Sequence, residues 1–317
     1  DCIKYNATSF GYVGELCRYL YDQEPSPKDR QHKVYKIVGN GLRPAIWREF
    51  KARFGIERIH EFYASSEGNV GFSNLFNFDY TVGFTPKVHK MVKYDVETSQ
   101  PIRGSDGFLV EVDKLEPGLM IGLISEDAPF DGYTDPEKTK KTIIEDAFES
   151  GDRWFNSGDV MRSIGFNHAQ FVDRLGDTFR WKGENVSTTE VESILEEFDQ
   201  ITNVVTYGVE ISNTNGRAGM SALNLDVAED AFDWSKLFEF AQENLPSYAI
   251  PVFVRVRKDL VDTTGTFKYK KADLKKEAYY TDQCQGDAVY VLLPGEKTYT
   301  KLDMELAEKI DAGAFRF

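Results

Sequence analysis

The chain has 317 residues, 41% hydrophobic and 28% charged, without low-complexity tracts, enough for one large globular domain or two ordinary ones. Its 38 basic and 52 acidic residues leave a net charge of −14, which argues against a general nucleic-acid surface, since that needs clustered Lys and Arg. The three cysteines (Cys2, Cys17, Cys284) and four histidines (His32, His60, His89, His168) are scattered, with neither a disulfide framework nor metal-ligand spacing, and no apolar run approaches the roughly 18 residues of a spanning helix.

Residues 11–20 place Tyr12, Val13, Leu16, Tyr19 and Leu20 near helical spacing, which predicts a helix broken by Pro25 and Pro27. Residues 32–38 alternate and predict a strand running into Gly39-Asn40-Gly41. Pro44 at a first helical turn and Gly55 after the last bracket a helix over 45–54. A short strand over 59–63 leads into a loop over 64–69, completing a β-loop-α-β-loop rhythm suited to an α/β layer.

Residues 80–175 read mainly as strands, over 82–84, 91–94, 108–112, 119–124, 154–161 and 170–175, with an irregular stretch at 130–141. A candidate domain boundary lies at 174–177. Ser187-Thr188-Thr189-Glu190 has the form of a capping box, and Val191, Ile194, Leu195 and Phe198 then share one helix face. Strands over 201–209 and 252–256 and helices over 234–244 and 271–280 give an α+β C-terminal part. Residues 283–317 carry the least pattern.

Several strings have chemistry beyond core packing. Gly39-Asn40-Gly41-Leu42-Arg43-Pro44 stands between a strand and a helix, where glycines let a planar base or a phosphate approach the backbone. Tyr63-Ala64-Ser65-Ser66-Glu67-Gly68-Asn69 combines an aromatic stacking face, hydroxyls that can bind phosphate, and a carboxylate that can hold a hard cation. Asp159 can accept hydrogen bonds from vicinal hydroxyls, and Arg174 can neutralise nucleotide oxygens. Gly176-Asp177 could absorb a large backbone rotation. Lys268, in Thr263-Thr264-Gly265-Thr266-Phe267-Lys268-Tyr269, could meet charge building on a carboxylate or phosphate. Lys270, Lys271, Lys275 and Lys276 read more simply as a solvated basic helix start.

The string RLGDTFRWKGENVSTTEVE (174–192), with companion motifs in order on both sides, closely resembles the signature of the very long-chain acyl-CoA synthetases, also called fatty acid transport proteins, of the adenylate-forming superfamily. The resemblance covers at least residues 1–280. It implies an α/β and α+β fold: residues 1–175 as the C-terminal part of an AMP-binding domain, with α/β layers and a β-barrel-like subdomain, and residues 176–317 as a small mobile domain carrying the catalytic-lysine loop.

The resemblance also implies two-step activation of a long-chain or very long-chain fatty acid by ATP, Mg²⁺ and CoA. It places Gly39, Asn40, Gly41 and Tyr63 at adenine, Ser66 on the α-phosphate, Glu67 on Mg²⁺, and Asp159 and Arg174 on the ribose and its neighbouring oxygens. Lys268 becomes the adenylation lysine, Gly176-Asp177 the hinge, and Gly183 part of the loop that meets CoA. Ser66 and Ser157 stand where the family more often has Thr, and 163–167 departs from the family turn as a hairpin variation.

No Gly/Ser/Thr-rich phosphate loop occurs in the chain. The resemblance therefore implies the C-terminal half of a longer synthetase, with little ligase activity alone and membrane association through the missing part, inside the cell at the endoplasmic reticulum, plasma membrane or peroxisome. Two alternatives stay open at this stage: a non-catalytic nucleotide- or acyl-CoA-binding module, and a ligase for a bulky acid such as a bile acid.

Overall fold

The computed structural model describes residues 1–64, 69–259 and 271–317. The chain forms two compact units, Asp1–Asp95 with Ser99–Leu175, and Gly176–Phe317 with Val96–Thr98.

The first unit opens with strand β1 (Ser9–Val13) and helix α1 (Gly14–Tyr21), then β2 (Lys36–Asn40), α2 (Pro44–Phe54) and β3 (Arg58–Ala64). Tyr12 and Val13 belong to the strand rather than to the expected helix, because β1 pairs in parallel with β2. Helix α2 is bracketed as its sequence suggests: Pro44 is its first residue, and Gly55 closes it with φ 67°, a left-handed cap that favours glycine. Tyr12, Cys17, Ile37, Trp47, Phe50 and Ile59 form the core of this parallel layer.

β3 changes the character of the sheet. It pairs in parallel with β2 and antiparallel with β4 (Gly71–Ser73). The remaining strands are short at first: β5 (Gly83–Phe84), β6 (His89–Val92), β7 (Tyr94–Asp95) and β8 (Gln100–Pro101). Then come β9 (Pro117–Leu123), helix α3 (Pro136–Thr142), β10 (Ile143–Glu145), β11 (Arg153–Gly165) and β12 (His168–Arg174). The main sheet runs β1-β2-β3-β4-β5-β12-β11-β9-β6, with β10 on β11; this is an open path, and no closed barrel forms among the described residues.

Two expectations are corrected here. The irregular stretch contains α3, started by Asp135, whose carboxylate caps two backbone N–H groups ahead of Pro136. Residues 108–112 make isolated bridges only. The β11–β12 hairpin closes at Phe166-Asn167, both with positive φ, the primed geometry that matches strand twist.

The second unit starts with a small hairpin, β13 (Phe179–Trp181) and β14 (Glu184–Val186), followed by α4 (Thr188–Leu195). Ser187 caps α4 by accepting from the Glu190 N–H, and Thr188, Val191, Glu192 and Leu195 form its buried face. β15 (Ile201–Val209), β16 (Ala218–Leu225), α5 (Trp234–Asn244), β17 (Phe253–Val256), α6 (Lys271–Glu277), β18 (Ala288–Val291), β19 (Thr300–Lys301) and α7 (Met304–Asp311) complete the unit. The sheet order is β15-β16-β17-β18-β19, and only the β16–β17 pair is parallel, joined through α5. Val204, Val205, Tyr207, Leu223, Phe253 and Tyr279 lie at its fully buried centre. Among the described residues, no helix is long and apolar enough to cross a membrane.

Candidate active site

The carboxyl ends of β1, β2 and β3 gather most of the nucleotide candidates of the first unit, where open α/β sheets place their ligands. Gly39 pairs with Glu61 on β3, so Gly41 and Tyr63 emerge from neighbouring strand ends. The two glycines answer different demands. A Cβ on Gly39 would lie 2.0 Å from the Tyr12 carbonyl oxygen and 2.7 Å from its ring, so Gly39 is required by close strand packing rather than by approach of a ligand. Gly41 has φ 77°, the left-handed region, and it turns the chain into α2. Asn40 ends β2 and is exposed.

The turn after β2 is held by a residue that sequence reading missed. Glu61 is 4% exposed, and its carboxylate accepts from the Tyr12 hydroxyl, the Gly41 N–H and, at 3.3 Å, the Leu42 N–H. Burial raises its pKa to about 7 against the downward pull of these hydrogen bonds. A buried acid on a strand that otherwise presents Ile59 to the core was the available signal.

Tyr63, Asp159 and Arg174 come together. The Tyr63 hydroxyl donates to Asp159 Oδ2 at 2.6 Å, and Arg174 Nε stands 3.5 Å from Asp159 Oδ1. Burial, then the Asp159 carboxylate, push the Tyr63 phenol well above its ordinary pKa, so it stays a donor. The long β11 strand delivers Asp159 through a bulge: its pairing with β9 shifts register between Asn156 and Val160, where Gly158 adopts φ 69°. On the other side Asp159 pairs with Arg174 of β12.

Ser157 Oγ braces this bulge, donating to the Met120 carbonyl at 2.6 Å and accepting from the Asp159 N–H at 3.1 Å. Asp159 Oδ1 is buried and has no hydrogen-bond donor among the described residues. The arrangement is a buried acceptor fixed by a phenol on one oxygen, without a hydrogen-bond donor on the other, and with a guanidinium 3.5 Å from that second oxygen. Arg174 is not a core arginine, since 48% of its side chain is exposed.

In the second unit, Gly183 sits at the tip of the β13–β14 hairpin, with Lys182 at φ 52° and Gly183 at φ 86°. Nothing lies within 4 Å of a Cβ built there, so backbone conformation, not lack of space, demands this glycine within the unit. Gly176 and Asp177 lie in the turn after β12, and Lys275 of α6 contacts both, reaching the Gly176 carbonyl and Asp177 Oδ1 at 2.9 Å each. Lys271 is 2.9 Å from Glu192 Oε1, with only 12% of its side chain exposed. Neither lysine is the freely solvated group expected, because α6 packs on the unit rather than standing off it. Ser66, Glu67 and Lys268 lie outside the described residues.

Comparison with known proteins shows which proteins the chain is similar to. The chain is 47% identical to the medium/long-chain fatty acid–CoA ligase FadD6 of Mycobacterium tuberculosis over 313 residues, 99% of this chain and 52% of that protein. It is 43% identical to long-chain fatty acid transport protein 2 of Rattus norvegicus over 317 residues, 98% of this chain and 51% of that protein. The chain is a homologue of fatty acid–CoA ligases and fatty acid transport proteins.

The chain spans about half the length of the curated relatives it matches. Among solved structures it is similar to ATP-bound MatB from Rhodopseudomonas palustris, with a TM-score of 0.69 at 19% identity over 87% of this chain and 53% of that one, a likeness of fold. No family model matches the chain.

Proposed function

We propose that this chain supplies part of the nucleotide site and the smaller moving domain of an AMP-forming ligase that converts long-chain or very long-chain fatty acids to acyl-CoA, coupled to fatty acid uptake. The kinship with fatty acid–CoA ligases supports the reaction class. The observation that carries the site is the convergence of Tyr63, Asp159 and Arg174, with Asp159 Oδ1 left without a donor. A carboxylate with one oxygen held by a phenol and the other lacking a hydrogen-bond donor suits a ribose hydroxyl, and the adjacent guanidinium suits nucleotide oxygens.

In this reading residues 1–175 belong to the adenylation domain and residues 176–317 form the smaller domain. Tyr63 and the turn over 39–41 flank adenine, Asp159 binds ribose, and Arg174 offsets phosphate charge. Ser66 contacts the α-phosphate, Glu67 would hold Mg²⁺, and Lys268 meets the fatty acid carboxylate and α-phosphate during adenylation. The carboxylate oxygen attacks the α-phosphorus of ATP and pyrophosphate leaves. Rotation about Gly176-Asp177 then presents the Gly183 hairpin, the CoA thiol sulfur attacks the acyl carbonyl, AMP leaves, and the thiol proton passes to solvent. Mg²⁺ on Glu67 would offset charge on the phosphates. The full-length protein acts at an intracellular membrane, where its apolar substrate partitions.

The test uses the full-length protein with ATP, CoA and palmitate, following acyl-CoA and AMP. Asp159→Asn is expected to raise KM for ATP about tenfold or more, the scale of one hydrogen bond to a charged acceptor. Absence of AMP and acyl-CoA from the wild-type protein, or an unchanged KM in Asp159→Asn, would defeat the assignment.

A further inference from the structure

Glu61 has no part in the steps above, yet it is tied to the turn that faces the nucleotide in that reading. Its three donors come from two different places in the fold, the Tyr12 hydroxyl on β1 and the Gly41 and Leu42 N–H groups after β2. A carboxylate only accepts, so one ionised side chain can satisfy all three; a protonated one must offer a donor where donors already point. The turn is also pinned from the opposite side, since a Cβ on Gly14 would stand 1.6 Å from the Gly41 carbonyl oxygen. Gly41 needs its φ of 77° and has little freedom to relax elsewhere.

We propose that Glu61 is a positioning residue for nucleotide binding: with Tyr12 as its partner it sets the backbone of the 39–42 turn at the end of β2. The proposal rests on the nucleotide reading of that turn. It also implies a stability cost. Burial raises the Glu61 pKa to about 7, above the unfolded carboxyl value, so the folded chain favours the protonated form. Stability tied to Glu61 is therefore full at low pH and falls as pH rises through about 7. Tyr12 and Cys17 are the titratable groups facing it from β1 and α1. Burial drives both upward, Cys17 to about 12, so they stay neutral while Glu61 ionises. At pH 8 the ionised clamp is the form that holds the turn and also the form that costs stability.

The experiment compares full-length wild type, Glu61→Gln and Tyr12→Phe for KM and kcat in acyl-adenylate formation, and for melting temperature, between pH 6 and 9. In parallel, wild type is photolabelled with 2-azido-ATP and the labelled peptides are sequenced by mass spectrometry. The expected result is label on the peptide containing residues 39–42. In Glu61→Gln, KM for ATP rises about tenfold at pH 8 while kcat stays within about threefold, and the melting temperature is equal to or above wild type, as loss of a charge-assisted contact and of a buried charge together require. Tyr12→Phe gives a smaller rise in the same direction. Wild-type KM for ATP climbs as pH falls below 7, and the variant profile is flat.

Label on 39–42 with KM unchanged in both variants would leave the nucleotide reading standing and overturn the role of Glu61. A lower melting temperature with kcat falling and KM unchanged would make Glu61 a structural pin and overturn the proposal as well. Absence of label on 39–42 would overturn the nucleotide reading of the turn, and the proposal with it.

Discussion

Lys275 fastens helix α6 to Asp177, with Nζ 2.9 Å from Asp177 Oδ1 and an equal distance from the Gly176 carbonyl oxygen. These are the first two residues of the second unit after Leu175. The contact therefore joins the proposed hinge to the helix that begins just beyond the segment carrying Lys268. About a third of each side chain is exposed, 32% and 27%, so the ion pair contributes no more than about 1 kcal/mol to stability. Its value would lie in which backbone states of the hinge it permits. Lys275→Met is expected to shift the melting temperature by only a few degrees, yet change the ratio of the adenylation and thioester-forming half-reactions about threefold or more. Separate pyrophosphate-exchange and CoA-dependent assays would check this, and an unchanged ratio would remove the latch from the hinge.

The Gly183 hairpin gives a cleaner separation of fold from function. Gly183 has φ 86° with open space around its Cβ position, so a substitution meets strain rather than collision. Gly183→Asn, whose residue type tolerates left-handed backbone, should fold with stability near wild type, whereas Gly183→Val should lose about 1–2 kcal/mol. If the hairpin meets CoA, both variants keep adenylation and lose thioester formation, seen as a raised KM for CoA. Equal loss of both half-reactions would place Gly183 outside the CoA step.

Much of the architecture could be read from local pattern, because there the cause is local. Pro44 and Gly55 bracket α2, Ser187 starts α4, and the apolar run over 201–209 is β15, since caps and periodicity act within a few residues. Tyr12 and Val13 misled because their spacing suits a helix while their partner strand, β2, lies more than twenty residues away. Residues 218–225 drew no assignment as a strand: β16 is buried on both faces and therefore lacks the alternation that marks a half-exposed strand. At the candidate site, motif strings exposed Tyr63, Asp159 and Arg174, but not that one hydroxyl and one guanidinium would share a single carboxylate. Glu61 and Tyr12 were invisible as a pair because they lie 49 residues apart and meet only through a parallel sheet.

Gly14 and Gly41 form the tightest approach at the sheet ends, and it can be tested without touching any proposed ligand contact. A Cβ on Gly14 would fall 1.6 Å from the Gly41 carbonyl oxygen, which is backbone and cannot swing aside. Gly14→Ala must displace the turn or the start of α1, at a cost of about 1–3 kcal/mol. The expected outcome is a lowered melting temperature together with a raised KM for ATP. A stable Gly14→Ala protein with normal KM would show that the turn tolerates displacement, and would weaken the case that its backbone position matters.

Arg255 makes the second unit sensitive to acid. It is fully buried on β17 and binds Glu277 Oε2 at 2.5 Å, Asp287 Oδ2 at 2.7 Å and the Cys284 carbonyl at 3.1 Å, tying α6 and the approach to β18 to the central sheet. Burial alone would raise the Glu277 pKa, but the hydrogen bonds from Arg255 and Gln285, with the charges of Arg255 and Arg257, together outweigh it and the carboxyl sits below its ordinary value. A lowered pKa means that this stabilisation is present above the unfolded carboxyl pKa, about 4.3, and is lost as pH falls through the folded value. Wild type should therefore lose this contribution to stability on acidification below about pH 4.3. Arg255→Met leaves two carboxylates facing an apolar side chain and should cost about 3–5 kcal/mol at pH 7. Protonation of Glu277 in wild type weakens a contact that the variant has already lost, so the deficit relative to wild type narrows as pH falls. Urea titrations of the two proteins between pH 3 and 7, with hydrogen exchange of β17 and β18 amides as the local readout, test this directly. A deficit that stays constant across that range would mean that Arg255 acts through packing rather than through its charge.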